Sequence, residues 1–309
     1  MAIARSIFLR ASRSQWLAEN LMRRSFARRA IKRFMPGEEL SDALDAAAAL
    51  SPANLGTILT KLGENLASLA EADQVRDHYL DSYDQIRERG LQRSVVSVKP
   101  TQLGLDHSLE ACAGHLERLA AKAESVGSFL WIDMEDSSYV DRTLELYRRV
   151  QANHPAVGIA LQAYLRRTPA DLASLLPLNP IVRLVKGAYA EPPHVAFPAK
   201  RETDLAFYDL AGTMLEAAGR GRTVPIFGSH DIPLLRRIVG RAEQLGVAKG
   251  KYEIHMLYGI KMEQQRALAR EGHAVATLIS YGSAWFPWYM RRLAERPANV
   301  WFVMRSFLG

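Results

Sequence analysis

Ile181-Val182-Arg183-Leu184-Val185-Lys186-Gly187-Ala188-Tyr189 opens on a five-residue run that is apolar but for one arginine and closes on a lysine and a glycine. A run this short suits a strand buried on both faces, the pattern of a parallel sheet. Similar runs lie on either side, near Gly56–Leu62, Val95–Val98, Phe129–Ile132, Gly158–Leu161, Val224–Phe227, Tyr252–Met256 and Val275–Ile279, which makes eight in all. Longer segments of helical periodicity separate them. Thr168-Pro169 before Ala170–Leu176 and Asp231-Ile232-Pro233 before Leu234–Leu245 carry start signals, because proline suits the first helical turn. Another helical stretch, Ser41–Leu50, precedes the first run, and a ninth apolar run, Val300–Val303, follows the last. Strands alternating with helices imply a parallel α/β sheet, and eight such units without a glycine fingerprint predict a closed (β/α)8 barrel. With 309 residues, 48% of them hydrophobic, the chain can fill one such domain. The boundaries expected are a basic N-terminal helical arm over 1–50 and the barrel over 51–309.

Active sites of such barrels gather at the C-terminal ends of the strands. Polar residues recur there: Glu64, Lys99, Asp133, Gln162, Arg183 with Lys186, Ser229 with His230, His255 and Tyr281. Any one of them could simply satisfy a strand end; eight in succession point to a catalytic mouth. Neither G-x-G-x-x-G nor a P-loop is present, so a Rossmann or P-loop nucleotide site is not supported. Asp133, Glu135, His230 and His255 could converge on a metal, which makes a metal-dependent barrel hydrolase or lyase the alternative, although none has local HExxH-like spacing. Near the end, two adjacent arginines, Arg291 and Arg292, follow the aromatic run Trp285-Phe286-Pro287-Trp288-Tyr289. Arginine forks match carboxylates, so these two with Lys99 would make an anion clamp; an ordinary surface helix with an Arg291–Glu295 pair is the plainer reading.

The formal charge of +7 is concentrated at one end: residues 1–35 carry nine basic side chains and one acid, and the rest of the chain is nearly neutral. A near-neutral body argues against nucleic acid as partner. The N-terminal arginines alternate with Trp16, Leu17, Leu21, Met22 and Phe26, a mixture suited to a helix lying on an anionic bilayer. No apolar stretch is long enough to span a membrane. Cys112 is the single cysteine, so no intramolecular disulfide can form.

Five segments, in this order, resemble the proline dehydrogenase family: Ser97-Val98-Lys99-Pro100-Thr101-Gln102-Leu103-Gly104, Ile132-Asp133-Met134-Glu135-Asp136, Leu161-Gln162-Ala163-Tyr164, Arg183 through Tyr189, and Tyr289-Met290-Arg291-Arg292-Leu293-Ala294-Glu295. The likeness runs from about Phe34 to the C-terminus. It implies a distorted (β/α)8 barrel with the last helix over its mouth, FAD at the strand ends, and hydride transfer from L-proline to flavin N5, giving Δ1-pyrroline-5-carboxylate as the first step of proline catabolism. It assigns Lys99, Arg291 and Arg292 to the proline carboxylate, with Asp133 holding and polarising Lys99 and counted also among the cofactor contacts. Tyr189 and Leu257 line the ring pocket, Arg183 sits near N5, and Gln162, Lys186, Gly187, Ser229 and His230 touch other parts of FAD. Glu64 pairs with Arg291 and gates access. The implied electron acceptor is a membrane quinone, reached by a cytoplasmic protein held peripherally at the inner membrane by its basic arm. A separate pyrroline-5-carboxylate dehydrogenase is a possible transient partner. The chain ends at Gly309 with no aldehyde dehydrogenase domain, which implies the monofunctional, bacterial-type form.

Thr277-Leu278-Ile279-Ser280-Tyr281-Gly282 departs from the family's Tyr-Val-Pro-Tyr-Gly, so Leu278 replaces a pocket tyrosine. Leucine packs on the ring but cannot hydrogen-bond. Tyr281 is the residue expected to compensate, and 4-hydroxyproline oxidation by the same chemistry is the alternative substrate. His255 stands where glutamine is common, and Ala190 where some members place an aromatic residue.

Overall fold

The computed structural model describes residues 32–63 and 66–285. The expectations placed on the basic arm before Lys32, on Glu64, on Arg291 and Arg292, on the helix over the mouth and on Val300–Val303 lie outside the described residues.

Eight parallel strands close into a barrel in sequence order. They are β1 (Gly56–Lys61), β2 (Ser94–Val98), β3 (Leu130–Ile132), β4 (Val157–Gln162), β5 (Ile181–Val185), β6 (Val224–Gly228), β7 (Glu253–Leu257) and β8 (Ala274–Tyr281). Each lies within two residues of a run legible in the sequence. Between them run α2 (Leu69–Glu88), α3 (Leu109–Ser125), α4 (Val140–Gln151), α5 (Thr168–Leu175), α6 (Lys200–Gly219), α7 (Ile232–Gln244) and α8 (Met262–Arg270), with α1 (Leu40–Leu50) ahead of β1. Local chemistry sets their starts. The Ser68, Ser108 and Asp231 side chains accept from the N–H groups of Glu71, Ala111 and Leu234, and Pro169 and Pro233 occupy first-turn positions. Helix α1 lies against β1 and β8 and buries Leu40, Ala43, Leu44, Ala47 and Leu50 in the layer shared by strands and helices.

The register decides which side chains face the lumen, because partners in a parallel sheet share a face. Ile58 pairs with Val95 and Leu278, Ser97 with Trp131, Trp131 with Gly158, Ala160 with Arg183, Arg183 with Ile226, and His255 with Ala276. Ile58, Trp131, Ile226 and Ala276 form the lumen core, with Val95, Phe129, Ile181 and Leu278 packed against it. Alternate residues face outward into the larger core under the helices. Gly158 makes room for Trp131: a Cβ there would lie 2.6 Å from the ring's Cζ3.

Candidate active site

Counting by twos from the lumen core toward the strand C-termini reaches Lys99, Asp133, Gln162, Arg183, Leu257 and Leu278. Lys99 keeps extended geometry (φ −100°, ψ 134°) one residue past β2, and the Asp133 N–H still donates to the Val98 carbonyl at 2.9 Å. Lys186, Gly187 and Tyr189 lie in the loop after β5, and Ser229 and His230 in the loop after β6. The barrel thus carries these candidates to one mouth.

Arg183 is the electrostatic centre. It is 3% exposed, and its Nη2 donates to the Asp133 carboxylate and, at 2.9 Å, to the Ser97 hydroxyl. Ser97 in turn donates to Asp133 at 3.0 Å. The guanidinium also stacks on Trp131, 4.6 Å from the ring centroid. Burial lowers the pKa of Arg183, and the Asp133 charge opposes that shift. Asp133 was expected to hold Lys99; the structure gives its carboxylate to Arg183 and Ser97 instead and forms no Lys99–Asp133 ion pair. The physical reason is desolvation: a guanidinium buried in the lumen needs a counter-charge more than a half-exposed ammonium does. Neither Ser97 nor Trp131 stood out in the sequence, yet both sit two residues before a candidate on the same face, so the alternation alone would have found them.

The proposed metal ligands do not converge. Glu135 is buried and accepts from the N–H and hydroxyl of Thr101, at 3.0 and 2.7 Å, which fixes the turn that carries Lys99. His230 Nε2 accepts the Leu257 N–H at 2.8 Å, so its proton resides on Nδ1. His255 is bonded through Nε2 to Glu253 at 3.1 Å and meets Trp131 edge-on. Burial lowers the His255 pKa, with Glu253 opposing it. Among the described residues, no group of three or more His, Cys, Asp and Glu side chains is placed to hold a metal ion.

Two further candidates have partners that the sequence did not reveal. Lys186 donates to Asp204 at 2.5 Å and to Asp231 at 3.0 Å, and Lys200 bridges the same two carboxylates. The loop after β5 is thereby clamped to the starts of α6 and α7. Burial pushes the Asp231 pKa up, but the Lys186 and Lys200 contacts outweigh it and hold the carboxyl at about 2. Tyr281 does not compensate for Leu278. It has outward parity on β8, and its hydroxyl bonds to Nε2 of His78 on α2 at 2.8 Å. Gly187 adopts φ +106°, and a Cβ there would lie 2.1 Å from Cδ1 of Tyr164, so the loop turns where only glycine lets the ring approach.

The donor set fits the flavin that the resemblance implies. Among the described residues, Nη1 of Arg183 and Oε1 of Gln162 are buried without a hydrogen-bond partner, one a donor and one an acceptor, both on the lumen face. Buried polar atoms are normally paired, so this unmet capacity suits a polar ring system at the mouth.

Comparison with known proteins identifies the family. The sequence profile of the proline dehydrogenase family matches residues 43–305. Proline dehydrogenase 1 of Bacillus subtilis (strain 168) is 36% identical over 277 residues, 90% of this chain and 90% of that protein. Proline dehydrogenase 2 of Bacillus subtilis subsp. natto is 32% identical over 307 residues, 99% of each. Among solved structures, proline utilization A (PutA) from Bdellovibrio bacteriovorus, inactivated by N-propargylglycine, superposes with a TM-score of 0.80 at 24% identity. The match covers 86% of this chain and 32% of that one, so the chain spans about a third of PutA's length and the likeness supports the fold.

Proposed function

The chain belongs to the proline dehydrogenase family and is an oxidoreductase of proline catabolism, and from that premise we propose that it oxidises L-proline to Δ1-pyrroline-5-carboxylate with FAD at the barrel mouth. The observation that carries this reading is the buried, uncommitted Nη1 of Arg183 on the lumen face, with the unpaired Oε1 of Gln162. FAD, when bound, supplies the two-electron acceptor.

The protein's part is positioning and charge. Asp133 and Ser97 hold one edge of the Arg183 guanidinium and leave the other to the cofactor, a preorganised cation that favours added negative charge. Gln162, Gly187, Ser229 and His230 are the further cofactor residues. Lys186, tied to Asp204 and Asp231, fixes the loop they share and keeps a third donor for the cofactor. Lys99, free of Asp133, takes the proline carboxylate with Arg291 and Arg292, and pairing of Glu64 with Arg291 gates access. Tyr189, Leu257 and Leu278 bound the ring, with Leu257 set in place by its N–H bond to His230.

Holding the carboxylate fixes the ring carbon beside nitrogen for loss of hydride, and orientation of this kind can contribute up to about 7–11 kcal/mol. Proline is bound as the free amine, so the nitrogen lone pair forms the C=N bond as the C–H bond breaks; two electrons and two protons leave in all. The electrons pass to a membrane quinone, which is reduced to quinol, and the basic arm brings the mouth to the bilayer. With Leu278 in place of a tyrosine and Tyr281 turned outward, neither residue offers a phenolic hydroxyl to that wall of the pocket, which favours weaker discrimination against 4-hydroxyproline.

The visible spectrum of the purified protein, recorded anaerobically before and after L-proline, tests the proposal. A flavin band bleached by proline supports it; a flavin band that only another cyclic amine bleaches overturns the substrate, and a protein that takes up no FAD overturns the cofactor.

A further inference from the structure

Glu191 lies in the loop that begins at Lys186, outside every strand and helix. Its carboxylate accepts two hydrogen bonds from one residue, the backbone N–H and the hydroxyl of Ser137, both at 2.7 Å. Ser137 opens the 3-10 turn Ser137–Tyr139, four residues beyond Asp133. One side chain therefore ties the loop carrying Tyr189 to the loop carrying Asp133, across the mouth between strands that are not neighbours.

The two sides of this tie are anchored differently. The Ser137 turn is a fixed post: Asp136 caps it by accepting the Ser138 N–H at 3.0 Å, and the Tyr139 hydroxyl donates to Asp106 at 2.7 Å. The far end of the Tyr189 loop is pinned to the segment after β4. The Phe197 N–H donates to the Tyr164 carbonyl at 2.8 Å, the Arg166 N–H to Val195 at 3.0 Å, and Arg166 Nε to Pro193 at 3.0 Å. At the near end, Gly187 rests on Tyr164. Ala188–Glu191 spans the interval between these anchors, and Tyr189 stands inside it.

We propose that Glu191 is a positioning residue for substrate: its clip to Ser137 holds the stretch bearing Tyr189 at the mouth and so sets the affinity for L-proline. The inference rests on Tyr189 lining the proline pocket, as in the function proposed above. A carboxylate that accepts two hydrogen bonds in one direction fixes both the distance and the angle of the loop, which a smaller side chain cannot do. None of its hydrogen bonds reaches Arg183, Asp133 or Lys99, so its loss falls on substrate binding and leaves turnover at saturation largely intact.

Steady-state kinetics of the full-length holoenzyme with a soluble quinone, together with flavin content, test this. Glu191→Ala is expected to raise KM for L-proline about five- to tenfold with kcat within about twofold of the parent and unchanged flavin content. Glu191→Gln keeps an acceptor for the Ser137 N–H and is expected to return KM to within about threefold of the parent. Ser137→Pro removes both donors from the opposite side, and the extended Asp136 (φ −70°, ψ 173°) accommodates a following proline. It reproduces the Glu191→Ala phenotype even if that variant folds poorly. A parent-like KM in Glu191→Ala or Ser137→Pro, with KM raised in Tyr189→Ala, overturns the clip alone. An unchanged KM in Tyr189→Ala overturns the pocket assignment and the inference with it.

Discussion

The guanidinium of Arg183 lies over the indole of Trp131, 4.6 Å from the ring centroid, so the buried cation at the mouth rests on an aromatic face. The ring is held in turn by the absence of a side chain at Gly158 and by His255, edge-on at 5.6 Å. A desolvated cation–π contact contributes about 2 kcal/mol. Trp131→Leu is therefore expected to lower unfolding stability by at least about 2 kcal/mol and to weaken retention of flavin, with Trp131→Phe losing less. Urea unfolding and flavin content after dialysis measure both. Equal stability and flavin retention in Trp131→Leu would show that Arg183 keeps its place without the ring.

Asp133 supplies the counter-charge to that cation. Removing one partner of a buried ion pair costs about 3–5 kcal/mol, because the other charge stays desolvated. Asp133→Ala is expected to destabilise by about that amount, and adding Arg183→Met should recover part of the loss. The double-mutant cycle decides the matter: losses that simply add would mean that the two residues do not depend on each other.

The barrel was legible because strands covered by helices on one side and a packed lumen on the other read as short apolar runs. Candidates at the mouth were legible for a related reason, since a polar residue stands out when it ends such a run. Pairings were not legible. Nothing local tells Asp133 to take Arg183 over Lys99, or Lys186 to take Asp204 and Asp231, because the choice depends on burial and on distances across several strands. Tyr281 was misjudged for want of parity: it ends β8 one step off the lumen face and meets α2. Ser137 and Glu191 are ordinary loop residues in sequence, and their relation exists only once two distant loops share the mouth.

Gly187 combines a left-handed backbone with an occupied side-chain volume. Gly187→Ala would need φ +106° and a Cβ 2.1 Å from the Tyr164 ring. Strain of this kind costs on the order of 1–3 kcal/mol. The expected result is a lower unfolding midpoint and faster proteolytic cutting between residues 186 and 199. Tyr164→Leu in the same chain should relieve the clash and leave the backbone strain, giving partial recovery. A Gly187→Ala variant as resistant as the parent would place the loop elsewhere.

The charge of the N-terminal segment predicts a separable role. Gly259 abuts the carbonyl of Arg33, so a cut that spares the barrel falls before Lys32. Deleting residues 1–31 is expected to weaken binding to anionic liposomes by more than about tenfold, since each basic residue near such a surface contributes about 1 kcal/mol. Turnover with a soluble quinone should change little. Co-sedimentation with vesicles measures the binding, and an undiminished bound fraction would remove the arm from membrane attachment.

His78 links stability to pH. Burial, followed by repulsion from Lys61, lowers its pKa from the ordinary 6.5 to about 4, against a weaker opposing pull from Asp81. Its Nε2 faces the Tyr281 hydroxyl, whose own pKa burial pushes upward, so Tyr281 donates and a neutral imidazole accepts. The unfolded chain binds this proton more readily than the folded one. The stability it contributes is complete above about pH 6.5 and is lost as pH falls toward about 4. Asp231, held at about 2, acts below that window. Unfolding midpoints measured between about pH 7 and about pH 4 should fall more steeply in the parent than in His78→Gln, which can still accept from Tyr281 but does not titrate. Parallel curves would mean that the imidazole takes up its proton equally in both states, and that the acid sensitivity of the fold lies with its carboxylates.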